Sequence, residues 1–165
     1  MARILIVAGG CRGRRLAEAM VNDGHAVRMS TRNEEGRAAI EAAGAECWIG
    51  TPDRLATLRG ALDSVTIVCW LLGTASGAPE QLDALHSSRL ELFVTQAIDT
   101  TVRGFVYEAC GAGPSAALAA GGERVVRTLT ERNAIPVAFL TGDPHEHDAW
   151  LAGACAAVAS LLSSA

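Results

Sequence analysis

At 165 residues the chain is long enough for one domain with a full core and short for two, and with 50% hydrophobic and 19% charged residues it is not a disordered chain. A net charge of −4 gives no basic footprint for nucleic acid, no apolar run reaches the length of a membrane span, and the first residues enter a strand without a signal-peptide layout, so the expected location is cytoplasmic. The five cysteines, Cys11, Cys47, Cys69, Cys110 and Cys155, are too scattered for a disulfide framework or a zinc knuckle, and all 14 basic residues are arginine, which excludes any mechanism that needs a lysine amine.

Ile4, Leu5, Ile6 and Val7 form an apolar run too short for a buried helix, and it stops at Gly9-Gly10-Cys11-Arg12-Gly13 before the helical spacing of Leu16, Ala17, Met20 and Val21. The reading is strand, glycine turn, helix. In a βαβ unit such a turn lets the backbone approach a pyrophosphate, with free N–H groups and the positive end of the helix facing the anion. The usual dinucleotide fingerprint has three glycines. Here Gly10 and Gly13 keep one three-residue spacing, Gly9 stands beside Gly10, and Leu16 takes the third place. Cys11 sits where a helix N-terminus can activate a thiol, although an inert turn residue is the plainer reading.

Residues 25–30 read as a second strand, followed at once by Thr31, Arg32 and Asn33. In the dinucleotide fold this strand end faces the adenosine ribose, where an acid favours NAD and an arginine accommodates the 2′-phosphate of NADP. Arg32 therefore points to NADP, with NAD as the second choice. Two other readings stay open: a first turn that has lost its ligand, and a turn that takes another phosphate ligand.

A helix is expected over 35–43, stopped by Gly44, then a short third strand over 46–49. The turn Gly50-Thr51-Pro52-Asp53 follows, with Thr51 or Asp53 as cap for a helix over 54–62 that places Leu55, Leu58 and Leu62 on one face. Residues 65–72 are continuously apolar, as in a central strand covered on both sides. Its carboxyl end, Leu72 and Gly73, leads into a flexible loop over 73–77, and ligands of open α/β sheets sit beside such ends, which makes Trp70 and this loop candidate neighbours of a cofactor. Pro79 opens a long helix over 80–99. Strand five, Phe105-Val106-Tyr107-Glu108, a glycine-rich loop over 111–114, a helix over 120–133, strand six over 136–140 and a helix over 144–162 complete the chain.

Six strands alternating with six helices require parallel strands and right-handed crossovers, so the expected fold is α/β: a three-layer, doubly wound six-stranded sheet in the Rossmann order 3-2-1-4-5-6, one domain over 1–165. The dense stretch Asp143-Pro144-His145-Glu146-His147-Asp148 invites a metal, but Asp143 before Pro144, with Glu146 three residues on, reads better as a capped helix start, and no metal site is expected. Asp99 and Glu108 could act as acid or base near a substrate; solvated or capping roles are the alternative.

The segment ILIVAGGCRGRRLAEAMVNDGHAVRMSTRN, supported by RGFVYEACG and ERVVRTLTERNAIPVAFL, resembles the atypical and extended short-chain dehydrogenase/reductases, including epimerase-like and NmrA-like proteins. The resemblance implies that Gly9, Gly10, Arg12 and Gly13 hold the pyrophosphate, with Cys11 in the same turn. It further implies that Arg32, between Thr31 and Asn33, holds the 2′-phosphate, that Thr51 and Asp53 lie near the adenine, and that Gly73, after Leu72, lies near the ribose. The glycine turn is one residue shorter than the family's usual form. The family's catalytic tyrosine and the lysine four residues later are missing: Tyr107 is the sole tyrosine, it lies inside strand five, and position 111 is glycine. Members of the extended group build a substrate pocket beyond the dinucleotide fold, and no separate substrate domain is expected within these residues. The apolar faces of the 80–99 and final helices, together with the family's habit, imply a homodimer. The expected function is a dinucleotide-binding protein or minimal reductase; the alternatives are a non-catalytic nucleotide-sensing or interaction module, and a degenerate fold of structural use only.

Overall fold

The computed structural model describes residues 1–164. Six parallel strands, β1 (Arg3–Ala8), β2 (Ala26–Thr31), β3 (Glu46–Ile49), β4 (Ile67–Leu71), β5 (Gly104–Glu108) and β6 (Val137–Leu140), form one sheet in the order β3-β2-β1-β4-β5-β6. The expected topology holds. Strand β1 pairs with β2 on one side and with β4 on the other, so the switch in strand order falls between β1 and β4.

Strand periodicity divides the core in two. On β1 and β4 the residues Leu5, Val7, Val68 and Trp70 face one layer, while Ile4, Ile6, Ile67, Cys69 and Leu71 face the other. The first layer holds α3 (Pro79–Leu85), α4 (Ser88–Ile98) and α5 (Ala119–Arg132); the second holds α1 (Gly10–Asn22), α2 (Arg37–Ala42) and α6 (His147–Ser163). Both faces of β4 are thereby buried, which is why its sequence shows no alternation. Among the described residues no helix is long and apolar enough to cross a membrane.

Three helical expectations need correction. Residues 54–62 form two 3₁₀ turns, Leu55–Thr57 and Gly60–Leu62, in place of one α-helix. Side chains claim the carbonyls that an α-helix would use: Trp48 Nε1 donates to Thr57 O at 2.8 Å, Thr57 Oγ1 to Arg54 O at 2.6 Å, and the buried Arg28 Nη1 to Ala61 O at 2.7 Å.

The long helix over 80–99 breaks at His86 and Ser87 into α3 and α4. Ser87 Oγ donates to Asp83 O at 2.7 Å, Trp70 Nε1 donates to Leu85 O at 3.3 Å, and the His86 ring turns into the core. The last helix begins at His147, three residues later than expected. Asp143 closes a turn before it by accepting the His145 backbone N–H at 2.9 Å, and Glu146 at the helix N-cap makes no side-chain capping bond.

Candidate functional site

Ala8, Gly9 and Gly10 all have left-handed φ values, 64°, 94° and 53°. This lets the chain reverse from β1 into α1 with no intervening loop. Gly9 and Gly10 adopt these values at no steric cost, and the room around the turn differs from one glycine to the next. A Cβ on Gly13 would stand 2.8 Å from the Ala8 carbonyl oxygen, so Gly13 is what allows α1 to pack against the turn; a Cβ on Gly10 would meet nothing within 4 Å, because Gly10 faces an open crevice. No side chain caps the first N–H groups of α1, and its first turn carries no acid. Amides so left at a helix N-terminus are the groups that can accept an anion.

The crevice runs along the carboxyl ends of the strands, at the switch point, as two adjoining clefts of about 300 and 480 Å³. Ala8, Gly10, Arg32 and Leu72 border both. The structure brings Gly9, Gly10, Cys11, Arg12, Thr31, Arg32, Thr51, Asp53 and Leu72 to its walls. Gly13 lies behind the turn. Asn33 caps the short turn over 34–36 by accepting the Glu35 N–H at 3.1 Å, and Gly73 is buried, donating to Glu108 Oε1 at 2.6 Å and accepting from Ala112 N at 2.9 Å.

Arg12 borders the crevice, but its charge is already paired within the protein. Its guanidinium forms a bidentate pair with the fully buried Glu108, donates to Thr74 Oγ1 at 2.9 Å and lies 4.5 Å from the centre of the Trp150 ring. Glu108 also accepts from Trp150 Nε1 at 2.8 Å. One carboxylate thus ties the start of α1 to the ends of β4 and β5 and to α6. In this setting Glu108 is a structural anchor, neither a solvated side chain nor a free acid or base, and Asp99, the residue that ends α4, lies towards the opposite end of the sheet.

Tyr107 is equally removed from the crevice. It is fully buried in the layer of α3 to α5, with its hydroxyl 2.7 Å from His86 Nδ1, and Gly122 leaves just enough room for that hydroxyl. Burial pushes the phenol well above its ordinary range and pushes the His86 imidazole below its own. Trp70, a candidate cofactor neighbour by sequence, is also fully buried and packs on Phe93 with ring centres 5.0 Å apart. Its strand position is near the crevice, but strand alternation turns its side chain away.

Several lining residues were missed by the sequence reading. Arg14 stands four residues after Gly10, on the same face of α1, and that spacing was a legible signal. Arg89, on an adjoining cleft, reaches Asp53 through the α3–α4 break, and His145 and His147, weighed above as part of a metal-like stretch, border the crevice from the turn before α6; tertiary structure alone brings them in. His145 Nδ1 lies 3.0 Å from Asp143 Oδ1, and the His145 backbone N–H, followed by its ring, holds the Asp143 carboxyl below the usual range. Among the described residues no three His, Cys, Asp or Glu side chains converge as a metal site would require.

No family model matches the chain, and no curated protein matches it in sequence. Solved structures do. The structure of gox2253 superposes with a TM-score of 0.70 at 19% identity over 86% of this chain and 51% of that one. The UDP-glucuronic acid 4-epimerase from Bacillus cereus, in complex with NAD, superposes at 0.65 with 14% identity over 84% of this chain and 55% of that one. Triphenylmethane reductase from Citrobacter sp., complexed with NADP(H), superposes at 0.62 with 21% identity over 85% of this chain and 49% of that one. The chain thus spans about half the length of the structures it matches. What it shares with them is the doubly wound sheet, and the resemblance to epimerase-like and reductase-like short-chain dehydrogenase/reductases holds at the level of this fold.

Proposed function

We propose that the chain binds a nicotinamide dinucleotide, NADP(H) in preference to NAD(H), along the crevice at the switch point. The observation that carries this reading is the uncapped start of α1 opening through Gly10 onto a crevice that continues to Arg32. The residues fit the group: the space at Gly10 is open, with nothing within 4 Å of where a Cβ would stand, and the α1 amides suit a diphosphate. Arg32, with its side chain 71% exposed, suits a 2′-phosphate, and Thr51 and Asp53 border the adenosine side. Such a cofactor would supply hydride chemistry. What this chain contributes is binding and orientation, with Arg12 acting on the turn through Glu108 and not as a free cation.

A second reading, a nucleotide-sensing module without turnover, is favoured by the fate of the acid/base candidates. Tyr107 is fully buried in the layer of α3 to α5 with its hydroxyl on His86, and Glu108 is held by Arg12. A homodimer is proposed as part of either reading, through the face of α4 where Leu92 stands exposed while Leu90, Phe93, Val94 and Ala97 are buried within the chain; a single-chain mass at micromolar concentration would remove it.

Calorimetric titration with NADPH, NADH and ATP separates the readings. NADPH binding with slow oxidation by an added acceptor supports a minimal reductase; binding without turnover supports the sensor. Replacing Arg32 with Ala is expected to weaken NADPH but not NADH by about 1–3 kcal/mol, as for a lost hydrogen bond to a charged group. Failure of every nucleotide to bind refutes the assignment.

A further inference from the structure

At the outer end of the crevice, Asp53 bridges two arginines from distant parts of the chain. Asp53 Oδ2 lies 2.9 Å from Arg32 Nη2, after β2, and Asp53 Oδ1 lies 3.3 Å from Arg89 Nη1, on α4. Arg54 borders the same cleft of about 520 Å³, together with the hydroxyl residues Thr51 and Thr57. Among the described residues lining it, Asp53 is the one carboxylate, so three guanidinium groups face one acid, an excess of two positive charges.

The bridge satisfies this arrangement poorly. A guanidinium offers five N–H donors in a fork suited to bidentate pairing, and Asp53 takes a single contact from each of Arg32 and Arg89. Asp53 is itself tied to its own turn: its backbone N–H donates to Thr51 Oγ1 at 3.3 Å, and the Thr51 hydroxyl reaches Asp53 Oδ2 at 3.4 Å. A phosphate monoester carries nearly two negative charges and three acceptor oxygens, which answers an excess of two positive charges better than one carboxylate does.

Resting on the NADP(H) reading above, we propose that Arg89 is the second arginine for the 2′-phosphate and that Asp53 is the resident counter-ion which that phosphate displaces from Arg32 and Arg89. The α3–α4 break has a purpose here, since it restarts the helix one residue before Arg89 and brings that side chain to the cleft. Discrimination between the two cofactors is then an exchange of one anion for another. Asp53 disfavours the phosphorylated cofactor until the arginines change partners, and it leaves the unphosphorylated one with no charge to neutralise.

The test is calorimetric titration of the whole chain and its variants with NADPH and NADH. Arg89→Gln is expected to weaken NADPH about tenfold or more while NADH stays within about twofold, the size of a lost charged hydrogen bond. Asp53→Asn is expected to tighten NADPH about threefold or more and so raise the NADPH-to-NADH affinity ratio, the opposite of what loss of a supporting contact would give. Arg89→Lys, which keeps the charge and loses the fork, should fall between the wild type and Arg89→Gln, and it serves if the glutamine variant does not fold. An unchanged affinity ratio in the Arg89 variants, or weaker NADPH binding by Asp53→Asn, overturns this assignment while leaving the cofactor reading in place. Absence of binding of either nucleotide by the wild-type chain overturns both.

Discussion

The Arg12–Glu108 pair is where the structure makes its sharpest energetic statement. Glu108 has no exposed surface and accepts from both Arg12 amino groups, from Gly73 N at 2.6 Å and from Trp150 Nε1 at 2.8 Å. Replacing Glu108 with Gln leaves a buried guanidinium without its counter-charge, and replacing Arg12 with Met leaves a buried carboxylate with neutral donors alone. Breaking one side of a buried pair costs about 3–5 kcal/mol. For a domain of this size each kcal/mol lowers Tm by about 2–4 °C, so either single variant should lose on the order of 10 °C. The double variant, Arg12→Met with Glu108→Gln, removes both charges and leaves the Gln carbonyl to accept from Gly73 or Trp150. It should therefore be less destabilised than the sum of the singles, by about 2–3 kcal/mol. Urea unfolding followed by tryptophan fluorescence and far-ultraviolet circular dichroism measures all three, with Trp150 reporting from inside the network. Single effects under about 1 kcal/mol, or additivity within about 0.5 kcal/mol, would refute the anchor.

Two further consequences are open to measurement. Burial holds the His86 imidazole below its ordinary value of 6.5, with the Leu72 backbone, Glu108 and Asp83 opposing the shift. The unfolded chain therefore binds the proton first, so stability is full above the unfolded value and is lost as pH falls through and below about 6.5. His86→Gln should flatten the fall in stability below about pH 6.5, and an unchanged slope would show that other groups set it. Gly13→Ala should cost about 1–3 kcal/mol, the usual price of overpacking, because the new methyl group meets the Ala8 carbonyl at 2.8 Å and Met29 Cε at 2.8 Å. A wild-type unfolding midpoint for that variant would show that α1 seats more loosely than this.

Local pattern was enough to determine the sheet. Runs such as Ile4 to Val7 and the apolar stretch around β4, separated by helical spacing and glycine turns, leave few ways to order six parallel strands, because crossovers are right-handed and every strand must be covered. The glycine turn and Arg32 were legible for a related reason: backbone that must reverse sharply requires glycine, and the residue after β2 faces the crevice whatever its neighbours are. Tertiary structure decided everything that depends on which partner a side chain meets. The residues over 54–62 carry the leucine spacing of a helix, but Thr57 within the stretch and Trp48 and Arg28 from outside it claim its carbonyls, Arg28 from 33 residues away. Arg12 resembles a phosphate ligand until Glu108, 96 residues away, is seen to hold it, and Arg89, which no local pattern singles out, is brought to Asp53 by the break at His86. Backbone preference acts over a few residues and can be read along the chain; charge pairing and hydrogen bonding act through space, and where they compete with local pattern at the mouth of this sheet, they win.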